Sequence, residues 1–421
     1  MGRTARRRLA AVCLGLAGHF AALAAEPAKA ASGDPARSFL EERVRSDPED
    51  HVAWNRLGGL YLERLRREGD PACAGLAVAA ARESLRAVPA GQNRNGIVLR
   101  ALAAAAAHDF VTARADGETL TAAEPERAES WRILGDACFE LGDYPAAEAA
   151  WERLERLERL EPGASGTEIR RARRAFIRGK PGEAARRMDA ARAAAEKEAP
   201  RAPETVAWCL VQRGYLAFLG GELDRAERAF RAALAETPGW FAAEDHLGEV
   251  LAAKGDFEGA LAVYRPLAER LRRPELWQAL GDVLVAAGRV AEAEGWHDRA
   301  GAEFLAQAEA GNAHYYHHLA GFYADVRVDP AEAVRWARRD LALRRSVGAW
   351  DALAWALHRA GEEVEAQAAM RNALAPGVRD PHLLVHAALI FQAAGETARA
   401  REYLREAKEL NPLYDGFHVH R

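Results

Sequence analysis

The segment Glu275–Glu294, ELWQALGDVLVAAGRVAEAE, has a near copy at Glu129–Ala150, ESWRILGDACFELGDYPAAEAA. Superposing the two aligns Trp131 with Trp277, Leu134-Gly135-Asp136 with Leu280-Gly281-Asp282, Gly142 with Gly288 and Ala147 with Ala293. Further copies begin at Ala217, His246, Ala352 and Leu389. A repeated short unit constrains the fold strongly: each copy is too small to bury its own apolar face, so neighbours must stack into one continuous body.

Each copy reads as helix, turn, helix. The turn positions are Gly142, Gly179, Gly221, Gly255, Gly288, Gly361 and Gly395, with His108 taking the place in a weaker copy. Three separations (221 to 255, 255 to 288, 361 to 395) are 34, 33 and 34 residues, and 288 to 361 leaves room for two units. Prolines such as Pro125, Pro238 and Pro412 close units by stopping the second helix. No segment of any length has strand periodicity, so the expected fold is all-α.

These motifs resemble the tetratricopeptide repeat family. Trp54, Trp131, Trp277 and Trp350 take the first-helix aromatic place. Leu57-Gly58, Leu134-Gly135, Leu247-Gly248 and Leu280-Gly281 take the small pair, and Ala147, Ala226, Ala260, Ala293, Ala366 and Ala400 the close-packing place of the second helix. The resemblance implies an α-solenoid, a right-handed superhelix of about ten stacked hairpins over residues 50–414. Residues 26–49 form a linker or leading helix and 415–421 a tail. Small residues at the Gly58 and Gly135 places let helices approach, and second-helix aromatics such as Phe230 and Tyr264 fill the space between hairpins.

Arg3, Arg6, Arg7 and Arg8 precede a mostly apolar run, Leu9–Ala25, and small residues lead up to Glu26. This is the pattern of a secretory signal peptide over residues 1–25, and it predicts an exported, periplasmic chain. The alternative is an uncleaved inner-membrane anchor. Removing these residues takes away four arginines and no acid, so the formal net charge moves from −4 to −8. A mildly acidic mature chain argues against general nucleic-acid binding.

Cys73, Cys138 and Cys209 remain after that cleavage; an odd, widely spaced set is read as buried thiols, with a Cys73–Cys138 bridge as the alternative. Sequence motifs of serine hydrolases, zinc proteases and phosphate-binding loops are missing, and repeats fill almost the whole length, so no enzyme and no cofactor are expected.

In the family, the concave surface is lined from fixed places of each first helix. Counting from His314, Val347 and Pro381, those places hold Tyr315, His318, Phe322, Asp351, Trp355, His358, His382 and His386. The same places in earlier units include Trp208, Tyr215, His246 and Gln278. This resemblance implies a groove for a protein partner, an extended peptide or a helix, with peripheral association to a membrane complex. The other reading of the aromatics is packing between helices. The family's carboxylate-clamping residues are not matched, since Val98-Leu99 and Arg132-Ile133 follow Asn55-Arg56. A competing function is metal binding in an envelope transport system through His314, His317 and His318, spaced three and four apart; His382 and His386 repeat the spacing of four.

Overall fold

The structure, a computed structural model, describes residues 34–158, 165–197 and 203–414. Residues 1–33, which hold the expected signal peptide and the first part of the expected linker, and residues 415–421 with His418 and His420 lie outside the described residues.

Among the described residues, a leading helix, α1 (Pro35–Ser46), is followed by ten helical hairpins. The first five are α2 (His51–Glu68) with α3 (Ala72–Ala87), α4 (Arg94–Ala106) with α5 (Phe110–Ala123), α6 (Ala128–Glu140) with α7 (Tyr144–Glu158), α8 (Ser165–Ile177) with α9 (Pro181–Ala195), and α10 (Pro203–Leu219) with α11 (Leu223–Glu236). The second five are α12 (Phe241–Ala253) with α13 (Phe257–Leu271), α14 (Pro274–Ala286) with α15 (Val290–Glu309), α16 (His314–Gly321) with α17 (Pro330–Leu343), α18 (Val347–Arg359) with α19 (Glu363–Leu374), and α20 (Pro381–Ala393) with α21 (Thr397–Leu410). The architecture is an all-α solenoid.

The turns follow from local chemistry. Gly142, Gly255, Gly288, Gly361 and Gly395 all have positive φ, and His108 adopts φ 59° in the copy that lacks the glycine. A short acid after the turn caps the next helix: Asp109 accepts from the Thr112 amide at 3.0 Å and Asp256 from that of Gly259 at 2.9 Å. The eighth hairpin has no such glycine. A π-turn over Phe322–Val326 prolongs α16 before Asp329 caps α17.

The close-packing logic is regular. A Cβ at Gly135, Gly214, Gly248 or Gly281 would run into Trp151, Phe230, Tyr264 or His297 of the second helix in its own hairpin. Phe230 and Tyr264 are fully buried, and one apolar cluster runs from Ala175 to Ala400. Cys73, Cys138 and Cys209 are buried and free, so no Cys73–Cys138 bridge forms.

The superhelix turns far enough to touch itself. His108, in the turn of the second hairpin, packs its ring 4.3 Å from that of His314, after the seventh. The turn of the third meets the connection after the eighth, where the Arg345 amide donates to the Leu141 carbonyl at 2.8 Å. A Cβ at Gly179 would strike Gly377 and Arg379, after the ninth hairpin, and one at Gly221 would strike Asn411, after the tenth. Each of these turns therefore abuts the connection five hairpins on.

Candidate functional site

Histidine–carboxylate pairs form a ladder along the stack, most of the histidines on first helices and His297 on a second helix. His246 Nδ1 lies 3.0 Å from Glu249, His297 Nε2 2.9 Å from Asp282, and His358 Nδ1 3.0 Å from Glu363. Two pairs cross between successive hairpins: His314 Nε2 lies 2.9 Å from Glu275, and His386 Nδ1 2.9 Å from Asp351. The reason is the repeat itself, since a residue about one period earlier sits beside its counterpart on the neighbouring first helix.

This ladder changes the expected groove. Tyr315, Phe322, Asp351, Trp355 and His386 are all buried, with Asp351 at 0% exposure, and His318, His358 and His382 are half-buried. Trp355 stacks flat on His386 with ring centroids 4.2 Å apart and donates its indole N–H to Asp325 at 2.7 Å. Phe304 stacks on His318 at 5.5 Å and meets Phe322 edge-on. At these positions the aromatic rings pack between helices, the other of the two readings, while His318, His358 and His382 keep part of their surface.

The expected set His314, His317 and His318 is also divided. His314 and His318 converge with Glu275, whereas His317 Nδ1 faces Asp340 at 3.7 Å. Glu275 takes a hydrogen bond from the buried guanidinium of Arg273 at 3.2 Å. Burial alone would raise the Glu275 carboxyl, but Arg273 and His314 outweigh it and hold it well below the usual range. Burial pushes His314 below the ordinary histidine value, against the opposing pull of the Glu275 carboxylate that accepts its hydrogen bond. Asp340 is also lowered: burial opposes ionisation, and Arg344 and His317 overcome it.

Asn55, whose place begins the family's carboxylate clamp, is taken up internally: its amide donates to Asn93 at 3.1 Å and its oxygen accepts from Ser84 at 2.7 Å.

A larger feature lies where the superhelical turns meet. A cleft of about 970 Å³ opens between α3, the α4–α5 turn, the α15–α16 connection and the end of α17. Val78, Val111 and Leu343 line it and are among the exposed large apolar side chains of the chain. Its charged lining comprises Arg82, Arg86, Arg100 and Arg344 against Asp109 and Asp340, a positive balance. None of these residues stood out in the sequence, because residues from hairpins five apart make the cleft and no local pattern records that distance.

The family model described as tetratricopeptide repeat matches residues 381–412, the tenth hairpin. No curated protein matches the chain. Among solved structures, PilW, described as a widely conserved type IV pilus biogenesis factor, is similar at 17% identity, with 51% of this chain and 94% of that one covered at a TM-score of 0.40. A human IFIT1 dimer with PPP-AAAA is similar at 14% identity, covering 91% and 96% at 0.45. Yeast Tom70 is similar at 13%, covering 89% and 88% at 0.36.

Proposed function

We propose that this chain, whose tenth hairpin matches the tetratricopeptide repeat model, is a non-catalytic scaffold that holds a segment of a partner protein in the cleft between its superhelical turns. The observation that carries this reading is the convergence of exposed Val78, Val111 and Leu343 on one cleft of about 970 Å³. Exposed apolar side chains gathered in a concavity with a charged rim are the usual mark of a contact surface. The four guanidinium groups are each ion-paired, to Glu83, Glu49, Asp116 and Asp340, and suit a partner segment that alternates apolar residues with hydrogen-bond acceptors. Arg100 and Arg344 are held by Asp116 and Asp340 at 2.5 and 2.8 Å, so they present directed donors rather than mobile charges.

The site of action in this reading is the bacterial envelope. Its support is the sequence alone: the arginines at Arg3–Arg8 and the apolar run Leu9–Ala25. Among the described residues no helix is long and apolar enough to cross a membrane.

The test is capture of partners from an envelope extract by the wild-type chain and by a Val111→Asp, Leu343→Asp variant of equal helicity by circular dichroism. Both side chains are exposed, at 53% and 42%, so the fold tolerates the change. Partners retained by wild type and lost by the variant support the cleft. Equal capture by both removes it as the site.

A further inference from the structure

Two places on the first helices bring three metal-ligand side chains together. Glu275 with His314 and His318 forms one, and Asp351 with His382 and His386 the other; within each, the ligand atoms lie within 4.8 Å of one another. Both follow one design. Two histidines a single helical turn apart on one first helix face a carboxylate supplied by the preceding hairpin's first helix. A pair of imidazoles and one carboxylate is the donor set of many zinc and non-haem iron sites, with positions left for water or a further ligand.

The two places differ in how the carboxylate charge is met. At the first, the fully buried Arg273 guanidinium already contacts Glu275 at 3.2 Å, and a second cation beside it would be repelled. At the second, the neighbouring group is another carboxylate, the half-buried Asp380, which accepts from the His382 and Leu383 amides at 2.8 and 3.2 Å and fixes the helical turn that carries His382. His386 is held flat against Trp355 with centroids 4.2 Å apart, so its ring is oriented before any ion arrives. A small space of about 10 Å³, lined by Asp351, His386, Trp355 and His317, adjoins the cluster.

We propose that Asp351, His382 and His386 bind one divalent transition-metal ion of the zinc class, tying the tenth hairpin to the ninth. His386 Nδ1 and Asp351 Oδ1, 2.9 Å apart, are spaced like adjacent ligands of one ion. The ion replaces the proton they share, and His386 coordinates in the tautomer that carries its hydrogen on Nε2. His382, from the same helix, supplies the third ligand. The site is independent of the partner cleft, so it stands or falls separately from the scaffold role.

The test uses the full chain without an affinity tag and with His418 and His420 both replaced by alanine. It is titrated with Zn²⁺ by calorimetry and with Co²⁺ by visible absorption. The expected result is one Zn²⁺ per chain and a Co²⁺ ligand-field band. Affinity falls at least tenfold in His382→Ala, His386→Ala and Asp351→Asn, and is unchanged in His314→Ala, His318→Ala. Asp351→Asn keeps an acceptor for His386, so it separates loss of the ligand from loss of the fold; circular dichroism verifies helicity. No stoichiometric binding by the parent chain, or unchanged binding in His386→Ala and Asp351→Asn, overturns the proposal. Loss of binding in the His314, His318 variant alone moves the metal to the other cluster and overturns it equally.

Discussion

The amide of Val347 donates a hydrogen bond to the phenolic oxygen of Tyr144 at 3.0 Å, across 203 residues of chain. A solenoid whose hairpins touched only their neighbours would have no such bond. Here it joins the start of α7 to the start of α18, and with the Arg345–Leu141 bond beside it holds one superhelical turn against the next. Desolvation raises the Tyr144 phenol to about 12, which keeps it protonated in this contact throughout the physiological range.

Replacing Tyr144 by phenylalanine keeps the ring and removes the acceptor. The expected cost is about 1 kcal/mol, the worth of one partly buried hydrogen bond. Urea unfolding followed by circular dichroism measures it, and hydrogen exchange at the Val347 amide rises in the variant. Unchanged protection there would mean that the two turns do not meet through this bond.

Gly142 and Gly288 have similar backbones, φ 82° and 78°, but different surroundings. A Cβ at Gly288 meets nothing within 4 Å, whereas one at Gly142 strikes the backbone of Arg345 and Ser346. Gly288→Ala is expected to cost about 1 kcal/mol, the strain of a left-handed residue. Gly142→Ala is expected to cost roughly 2 kcal/mol beyond that, because it also pushes the turns apart. Equal losses in thermal unfolding would remove the steric contact.

Glu275→Gln leaves the buried Arg273 without its counter-charge. The expected loss is about 3 kcal/mol at pH 7, as for other buried ion pairs broken on one side. Glu275 titrates below its unfolded value of 4.5 in the folded chain, so its stabilisation is present above pH 4.5 and lost as pH falls through the folded value. The gap between wild type and variant therefore narrows in acid. Urea melts from pH 7 down to pH 3 measure it, and a gap independent of pH would rule out the ionised pair.

Burial pushes the Cys73 thiol up to about 12 and that of Cys138 to about 11. Neither is a nucleophile at pH 8. Iodoacetamide at that pH is expected to leave both unmodified in the folded chain and to label both in urea, read by peptide mass spectrometry. Labelling of the native chain would place them at the surface.

The sequence announced the fold because each hairpin writes its own local pattern. Trp131, Leu134-Gly135, Gly142 and Ala147 specify a helix, a close approach, a turn and a second helix within some twenty residues. Even His108 was legible as a turn residue, and it takes the left-handed backbone of the glycines it replaces. The site was legible only in part. Spacing put His314 with His318 and His382 with His386 on common helix faces, but it paired His314 with His317, which turns instead toward Asp340. Glu275 and Asp351 lie 39 and 35 residues before their histidines, one period away, and a search for neighbours within a single helix passes over them. The burial of Tyr315 and Trp355 depends on how tightly adjacent first helices stack, which the aromatic pattern does not encode. The cleft at Val111 and Leu343 depends on the pitch of the whole superhelix, a property summed over five hairpins and written in none of them.

Contact between superhelical turns is tested most directly by a disulfide. The Arg345 amide lies 2.8 Å from the Leu141 carbonyl, which brings the two backbones within the ~4.4–6.8 Å Cα separation that a disulfide spans. In the Leu141→Cys, Arg345→Cys chain, mild oxidation is predicted to form an intrachain bridge in near-full yield with helicity unchanged, seen as a single linked peptide in mass spectrometry. A chain that stays reduced at these positions, or links only between molecules, would show that the turns do not touch and that the cleft between them does not exist.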